Sequence, residues 1–281
     1  MDVRKAAFAG SWYPDSAVEC ETDIRRYTKK ASPPAIPCVG GIVPHAGWYF
    51  SGEIACRVIH GLSSGPPPDV VVVFGMHLHP ESPGYIMTEG AWETPFGNLA
   101  IETDVARQLN AAFSFQVETA QRHTQDNTIE LQLPFIKYFF KDTKILPLGL
   151  PPAESSLDIG VAVVEIISAL GLKARIIGST DLTHYGVNYG YSPMGSGSSA
   201  VEWVTTDNDR RVVDAMLSMD TGAVIREGMT NQNACCAGAA ATAIAASRAL
   251  GATRAEEVAY ATSYDKHPGD SFVGYVGILF S

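Results

Sequence analysis

Val70-Val71-Val72-Val73-Phe74 is an unbroken run of β-forming residues in a chain of 281. β-Branched and aromatic side chains suit the pleated surface of a strand. Gly65-Pro66-Pro67-Pro68, just upstream, ends the preceding helical stretch. Two comparable runs flank this one, Val39-Gly40-Gly41-Ile42-Val43 and Ala174-Arg175-Ile176-Ile177-Gly178. Helix-like stretches alternate with these runs. They cover about Gly52 to Leu62, Asp104–Ala112 behind a Thr103 cap, and Asn127–Phe140 with Pro134 as a kink. Further on come Ser156–Leu170, closed by Gly171, and a helix capped by Asp207 or Asn208 that runs through Met216. The Ala-rich stretch from Cys235 to Leu250 predicts a closely packed, buried helix. Lys144–Leu148, Val258–Ser263 and Phe272–Phe280 read as further strands. Short strands alternating with helices of this length predict an α/β fold, with a central mixed, largely parallel sheet flanked by helices. No domain-sized linker interrupts the chain, so residues 1–281 read as a single domain. Tyr191–Ala200, rich in Ser and Gly, reads as a mobile surface loop or lid.

Hydrophobic residues make up 46% of the chain and charged ones 18%, which suits a globular protein with a substantial core. A net charge of -10 argues against nucleic acid or an anionic membrane as partner, since both need clustered Lys and Arg. The charged start Met1-Asp2-Val3-Arg4-Lys5 is not followed by a long apolar segment, and no apolar stretch approaches membrane-spanning length. Five irregularly spaced cysteines do not form a disulfide pattern, and a reducing cytoplasm is the simplest expectation.

The chemistry gathers behind the three runs. His45 follows the first, His77 and His79 follow the second, and Asp181 and His184 follow the third. Ligands of open α/β sheets bind at the carboxyl ends of strands, so these side chains are candidates for one crevice and one metal ion. On an extended backbone His77 and His79 share a face. Asp181 suits orienting an imidazole, binding a metal or capping a helix. Cys235 and Cys236 open the Ala-rich helix, where a thiol becomes a better ligand or nucleophile. Glu130 and His123 are further candidates for the crevice edge. Walker A, dinucleotide-binding, nucleophile-elbow and His-Glu-x-x-His patterns are all missing, which leaves nucleotide and common hydrolase readings without support.

Ordered motifs along nearly the whole chain resemble the MEMO family, whose prokaryotic members are labelled AmmeMemoRadiSam system protein B. They run from Arg4-Lys5-Ala6-Ala7-Phe8-Ala9-Gly10-Ser11-Trp12-Tyr13-Pro14 through Pro44-His45-Ala46-Gly47-Trp48 and Gly75-Met76-His77-Leu78-His79. Trp92-Glu93-Thr94-Pro95-Phe96-Gly97, Thr128-Ile129-Glu130-Leu131-Gln132-Leu133-Pro134-Phe135, Ser179-Thr180-Asp181-Leu182-Thr183-His184-Tyr185 and Gly269-Asp270-Ser271-Phe272 continue the match. The resemblance implies a LigB/phosphorylase-like fold related to class III extradiol dioxygenases. It implies iron(II) or copper on His45, His79 and Cys235, with Asp181 and His184 as acid/base or supporting groups. The family usually places Glu-His where this chain has Asp126-Asn127, and Gly after the cysteine where this chain has Cys236. Both thiols are therefore candidates, and Cys235 keeps the better spacing to Asn231 and the following helix.

These readings imply a metal-dependent redox enzyme of unknown substrate. The alternative is a non-catalytic module holding a small molecule or peptide in the same crevice, and a hydrolase using zinc-bound water is a third possibility. The resemblance also implies a pathway link to radical SAM and AMMECR-type proteins.

Overall fold

The computed structural model describes residues 1–29, 34 and 36–281. Its main sheet is built from β1 (Gly40–Val43), β2 (Val70–Gly75), β3 (Gly84–Met87), β4 (Phe115–Glu118), β5 (Lys144–Gly149), β6 (Ala174–Ser179), β7 (His184–Tyr185), β8 (Ala255–Thr262) and β9 (Phe272–Phe280). The spatial order is β7-β9-β1-β6-β2-β5-β3-β4, and β8 forms a long antiparallel pair with β9. Strands β1, β6, β2 and β5 are mutually parallel, whereas β9 and β3 run antiparallel to their neighbours β1 and β5. The sheet is thus mixed with a parallel centre, as expected for an α/β fold. Val3–Arg4, Ala91–Trp92 and Leu99–Ala100 form a small second sheet.

Every residue of β1, β2, β6 and β9 is buried. Unbroken apolar runs do this because helices cover both faces of the sheet. Adjacent glycines in β1 record the two coverings. A Cβ on Gly40 would strike Ser247 of the Ala-rich helix, and one on Gly41 would meet Val58 of the helix Glu53–Leu62. Successive strand positions point to opposite faces, so these helices lie on opposite sides. The helix Glu154–Ala169 packs beside the Ala-rich helix, and Ala17–Thr28 and Leu133–Phe140 pack beside Glu53–Leu62. The Ala-rich helix, Ala237–Ala249, comes close enough that a Cβ on Gly178 of β6 would lie 3.0 Å from the Ala239 carbonyl oxygen. Small residues are required on both surfaces.

Several local expectations are corrected. The stretch Asn127–Phe140 is two helices, Asn127–Glu130 and Leu133–Phe140, with the break at Leu131–Gln132; Pro134 sits in the first turn of the second, where its missing N–H costs nothing. Asp207 and Asn208 do not cap a helix. They lie in a π-helical turn, Val204–Asn208, inside a continuous helical stretch, and Asp207 pairs with Arg211. Thr103 is inside its helix and not the cap. The fold adds the helices Ala17–Thr28 and Thr221–Asn231 and the short strands β3, β4 and β7.

Candidate metal centre

The register of the parallel strands sets the site. Val43 pairs with Ser179, and Phe74 pairs with Gly178, so Val43, Ser179 and Gly75 end three adjacent strands at one level. His45, Asp181 and His77 each lie two residues beyond that level. Three strand ends in phase thus deliver two imidazoles and a carboxylate to the same edge. The fourth contribution comes from the loop ahead of the Ala-rich helix. Cys235 N–H donates to the Asp181 carbonyl (3.1 Å) and Asp181 N–H donates to Cys235 Sγ (3.3 Å), so the two loops are locked together. Thr180 Oγ1 accepts from Cys236 N–H and donates to the Asp181 carbonyl, fixing the same corner.

His45 Nε2 lies 3.2 Å from His77 Nε2 and 3.3 Å from Cys235 Sγ. Cys236 Sγ lies 3.8 Å from Cys235 Sγ. One donor atom from each of these four residues falls within 4.8 Å of every other, a spacing that one metal ion can bridge. His45 is buried, and its ring is oriented from behind. Ser179 Oγ donates to the Thr128 carbonyl, so it accepts from His45 Nδ1–H at 3.0 Å. In the neutral ring this leaves the Nε2 lone pair facing His77 and Cys235, the tautomer a ligating histidine takes once a metal displaces its Nε2 proton. The His45 backbone N–H donates to Asp181 Oδ1 (2.7 Å), and Asn127 Nδ2 donates to the His45 carbonyl.

His77, and not His79, reaches the cluster. Met76 turns the backbone into the left-handed region (φ 70°), held there by its N–H bond to Thr128 Oγ1. The extended geometry that would keep His77 and His79 on one face therefore ends at Gly75. His79 is exposed, and its Nδ1 accepts from the Glu81 N–H. His184 lies on β7 and lines the same cavity, with Nδ1–H donating to the Leu182 carbonyl. Asp181 caps no helix; its carboxylate serves His45.

Glu130 and His123 are elsewhere. Glu130 is buried and accepts from the backbone N–H of Ala7 and Phe8 and from the Tyr13 hydroxyl, clamping the N-terminal segment. His123 donates through Nδ1 to the Thr119 carbonyl. The 191–200 loop does not line the cavity; Tyr185 hydrogen-bonds it at Met194 and Gly195.

The cavity above the cluster has a volume of about 560 Å³, within the range of small-molecule sites. Aromatic side chains of Trp12, Tyr49, Phe50, Tyr189 and Tyr275 wall it, and His267 joins the rim. None of these was legible as a site residue, because they come from five separate segments of chain. Ser179 was missed for a related reason: its role exists only through His45 and Thr128.

Electrostatics follow from burial and pairing. Burial alone lowers the basicity of His45, but Asp181 and Cys235 overcome it and push the imidazole up to about 9. Burial works against a Cys235 thiolate, yet the Cys236 thiol and His45 hold Cys235 well below its ordinary value. Burial raises Asp181 against the opposing pull of His45. Burial also raises Cys20, Cys38, Cys56 and Cys236. Cys235 is therefore expected to be the one source of ultraviolet thiolate absorbance near neutral pH in metal-free protein. A lowered pKa populates thiolate at lower pH, so the band should persist below the ordinary thiol range and shift upward in His45→Ala. A wild-type band that appears only in the ordinary range would contradict the pairing.

A crevice of imidazoles and thiol at the carboxyl edge of a mixed α/β sheet defines a candidate metal-binding class. The family model described as "Memo-like protein" matches residues 4–279, and the chain belongs to this family. Among its relatives, a MEMO1 family protein of Pyrococcus furiosus is 32% identical, over 99% of this chain and 98% of its own. A MEMO1 family protein of Methanothermobacter thermautotrophicus is 33% identical, over 97% and 98% respectively. The crystal structure of an uncharacterized protein from Escherichia coli K12 shares the fold at 11% identity, with a TM-score of 0.52, over 86% of this chain and 99% of that one. Among the described residues, no helix is long and apolar enough to cross a membrane.

Proposed function

We propose that this protein is a metal-dependent redox enzyme acting on a small molecule bound in the aromatic-walled cavity. The observation that carries the reading is the mutual contact of His45 Nε2, His77 Nε2 and Cys235 Sγ directly beneath that cavity. The donors fit iron or copper: two imidazoles suit either, and a thiolate softens the site toward copper. When bound, such a metal would supply one-electron and O₂ chemistry.

The chain's own groups divide the remaining work. Ser179 and Asp181 orient His45. The aromatic walls exclude water and favour a flat, partly apolar ligand. His184 faces the cavity and is the candidate proton carrier, its Nδ1–H held by the Leu182 carbonyl so that Nε2 is free to take a proton. Asp181 lies within 3.9 Å of His45 Nε2, where its charge offsets positive charge on the cluster.

Oxygen uptake by iron- or copper-loaded protein, measured across a panel of catechols and simpler phenols, tests the proposal. Uptake should occur with at least one compound and be lost in His184→Ala at unchanged metal content. Saturable ligand binding without uptake would favour the second reading, a binding module. That reading draws support from the exposure of Trp12, Tyr49 and Tyr189 at the cavity mouth.

A further inference from the structure

We propose that Cys236 is a fourth protein donor, and that the resulting N₂S₂ site selects a closed-shell thiophilic cation, Cu(I) or Zn(II), over Fe(II). This rests on the reading of the same cluster as a metal centre, and it assigns a task to a side chain which that reading leaves idle.

The distances carry the argument. Tetrahedral N₂S₂ coordination, with metal–sulfur bonds of about 2.3 Å and metal–nitrogen bonds of about 2.0–2.1 Å, places the sulfurs about 3.8 Å apart and the nitrogens about 3.3 Å apart, with mixed edges of about 3.6 Å. The protein holds the two sulfurs at 3.8 Å, the two imidazole nitrogens at 3.2 Å, and His45 Nε2 to Cys235 Sγ at 3.3 Å. The other three pairs also lie within 4.8 Å. Three of the six edges thus match such a tetrahedron to within about 0.3 Å, and four donors from three loops lie within reach of one ion.

The surroundings of Cys236 point the same way. Its side chain is buried, and its Sγ contacts no hydrogen-bonding partner but Cys235 among the described residues. Cys20 and Cys38 each donate to a backbone carbonyl, and Cys56 belongs to no group of metal donors among the described residues. The Cys236 backbone N–H is fixed by Thr180, so the thiol is held in place beside Cys235. A second thiolate makes the donor set softer, which favours Cu(I) and Zn(II). The thiol protons displaced by the cation pass to solvent.

The test uses the full chain, reduced and kept free of oxygen, titrated separately with Cu(I), Zn(II) and Fe(II) against a chromogenic chelator. Cys236→Ala should weaken Cu(I) or Zn(II) binding by about a hundredfold, while leaving Fe(II) binding within about threefold. X-ray absorption of the loaded wild-type protein needs no variant and should count two sulfurs and two nitrogens around the ion. A single sulfur, or an affinity unchanged in Cys236→Ala, overturns the role of Cys236 and leaves the three-donor centre standing. Wild-type protein that binds none of the three ions overturns both. Cu(I) winning the competition leaves the redox reading standing with copper as its metal, whereas Zn(II) winning overturns the redox reading and leaves the four-donor site in place.

Discussion

His45→Ala is expected to lower metal affinity by about a hundredfold to a thousandfold, measured by anaerobic titration against a competing chelator. The magnitude comes from dividing the binding energy of a four-donor protein site, roughly 10–16 kcal/mol, over its ligands. The loss should fall at the upper end, because His45 contacts both His77 and Cys235 and its ring is already held by Ser179. His77→Ala should behave similarly, whereas His79→Ala should leave affinity unchanged, since both rings are exposed but His79 Nδ1 is turned to the Glu81 N–H and lies outside the cluster. Ser179→Ala should cost about tenfold to a hundredfold, the usual range for groups that orient a ligand. Equal losses for His77 and His79, or no loss for His45, would remove the centre described here.

The second large effect concerns Glu130. Glu130→Ala removes the acceptor for the N–H groups of Ala7 and Phe8 and for the Tyr13 hydroxyl; Glu130 and Tyr13 are buried, Phe8 is half-buried and Ala7 is exposed, so most of the cost falls on Tyr13 and Phe8. Each stranded donor costs about 1–3 kcal/mol, so a total of about 4 kcal/mol is expected, or about 10 °C in Tm for a chain of this size. Amide hydrogen exchange at Ala7 and Phe8 should accelerate, because no other acceptor among the described residues holds these two N–H groups. Ser11 and Trp12, which line the cavity, belong to the same segment, so ligand binding should weaken while metal binding persists. A Tm within 1 °C of wild type would show that the clamp does not stabilise the fold. Loss of metal from a folded variant would return Glu130 to the metal centre.

The contrast between these residues shows what was legible in the chain. The strands β1, β2 and β6 could be read because unbroken apolar runs need two covered faces, and the register then places the position two residues past each strand end at a common edge. His45 and Asp181 follow from that rule alone. Choosing His77 over His79 by the same rule needs the end of β2 at Gly75, which the unbroken apolar run does not mark. The choice depends on the left-handed turn at Met76, which the Thr128 hydroxyl holds from a distant helix. Cys235 and Cys236 could be noticed as a pair at a helix start, but their approach to His45 depends on how closely the Ala-rich helix packs on β6. Gly178 permits that approach, and Gly238 lets the start of the helix lie against the Pro151 backbone, where a Cβ would clash.

Local sequence by itself determined the parallel strands, the Ala-rich helix and the edge of the sheet where the reactive side chains collect, because periodicity and strand length are properties of neighbouring residues. Only the tertiary structure decided which histidine turns inward, that Glu130 fastens the N-terminus, and that aromatic residues from distant segments enclose one cavity. Those outcomes depend on contacts between residues far apart in the chain, and a contact between two loops has no periodicity to betray it.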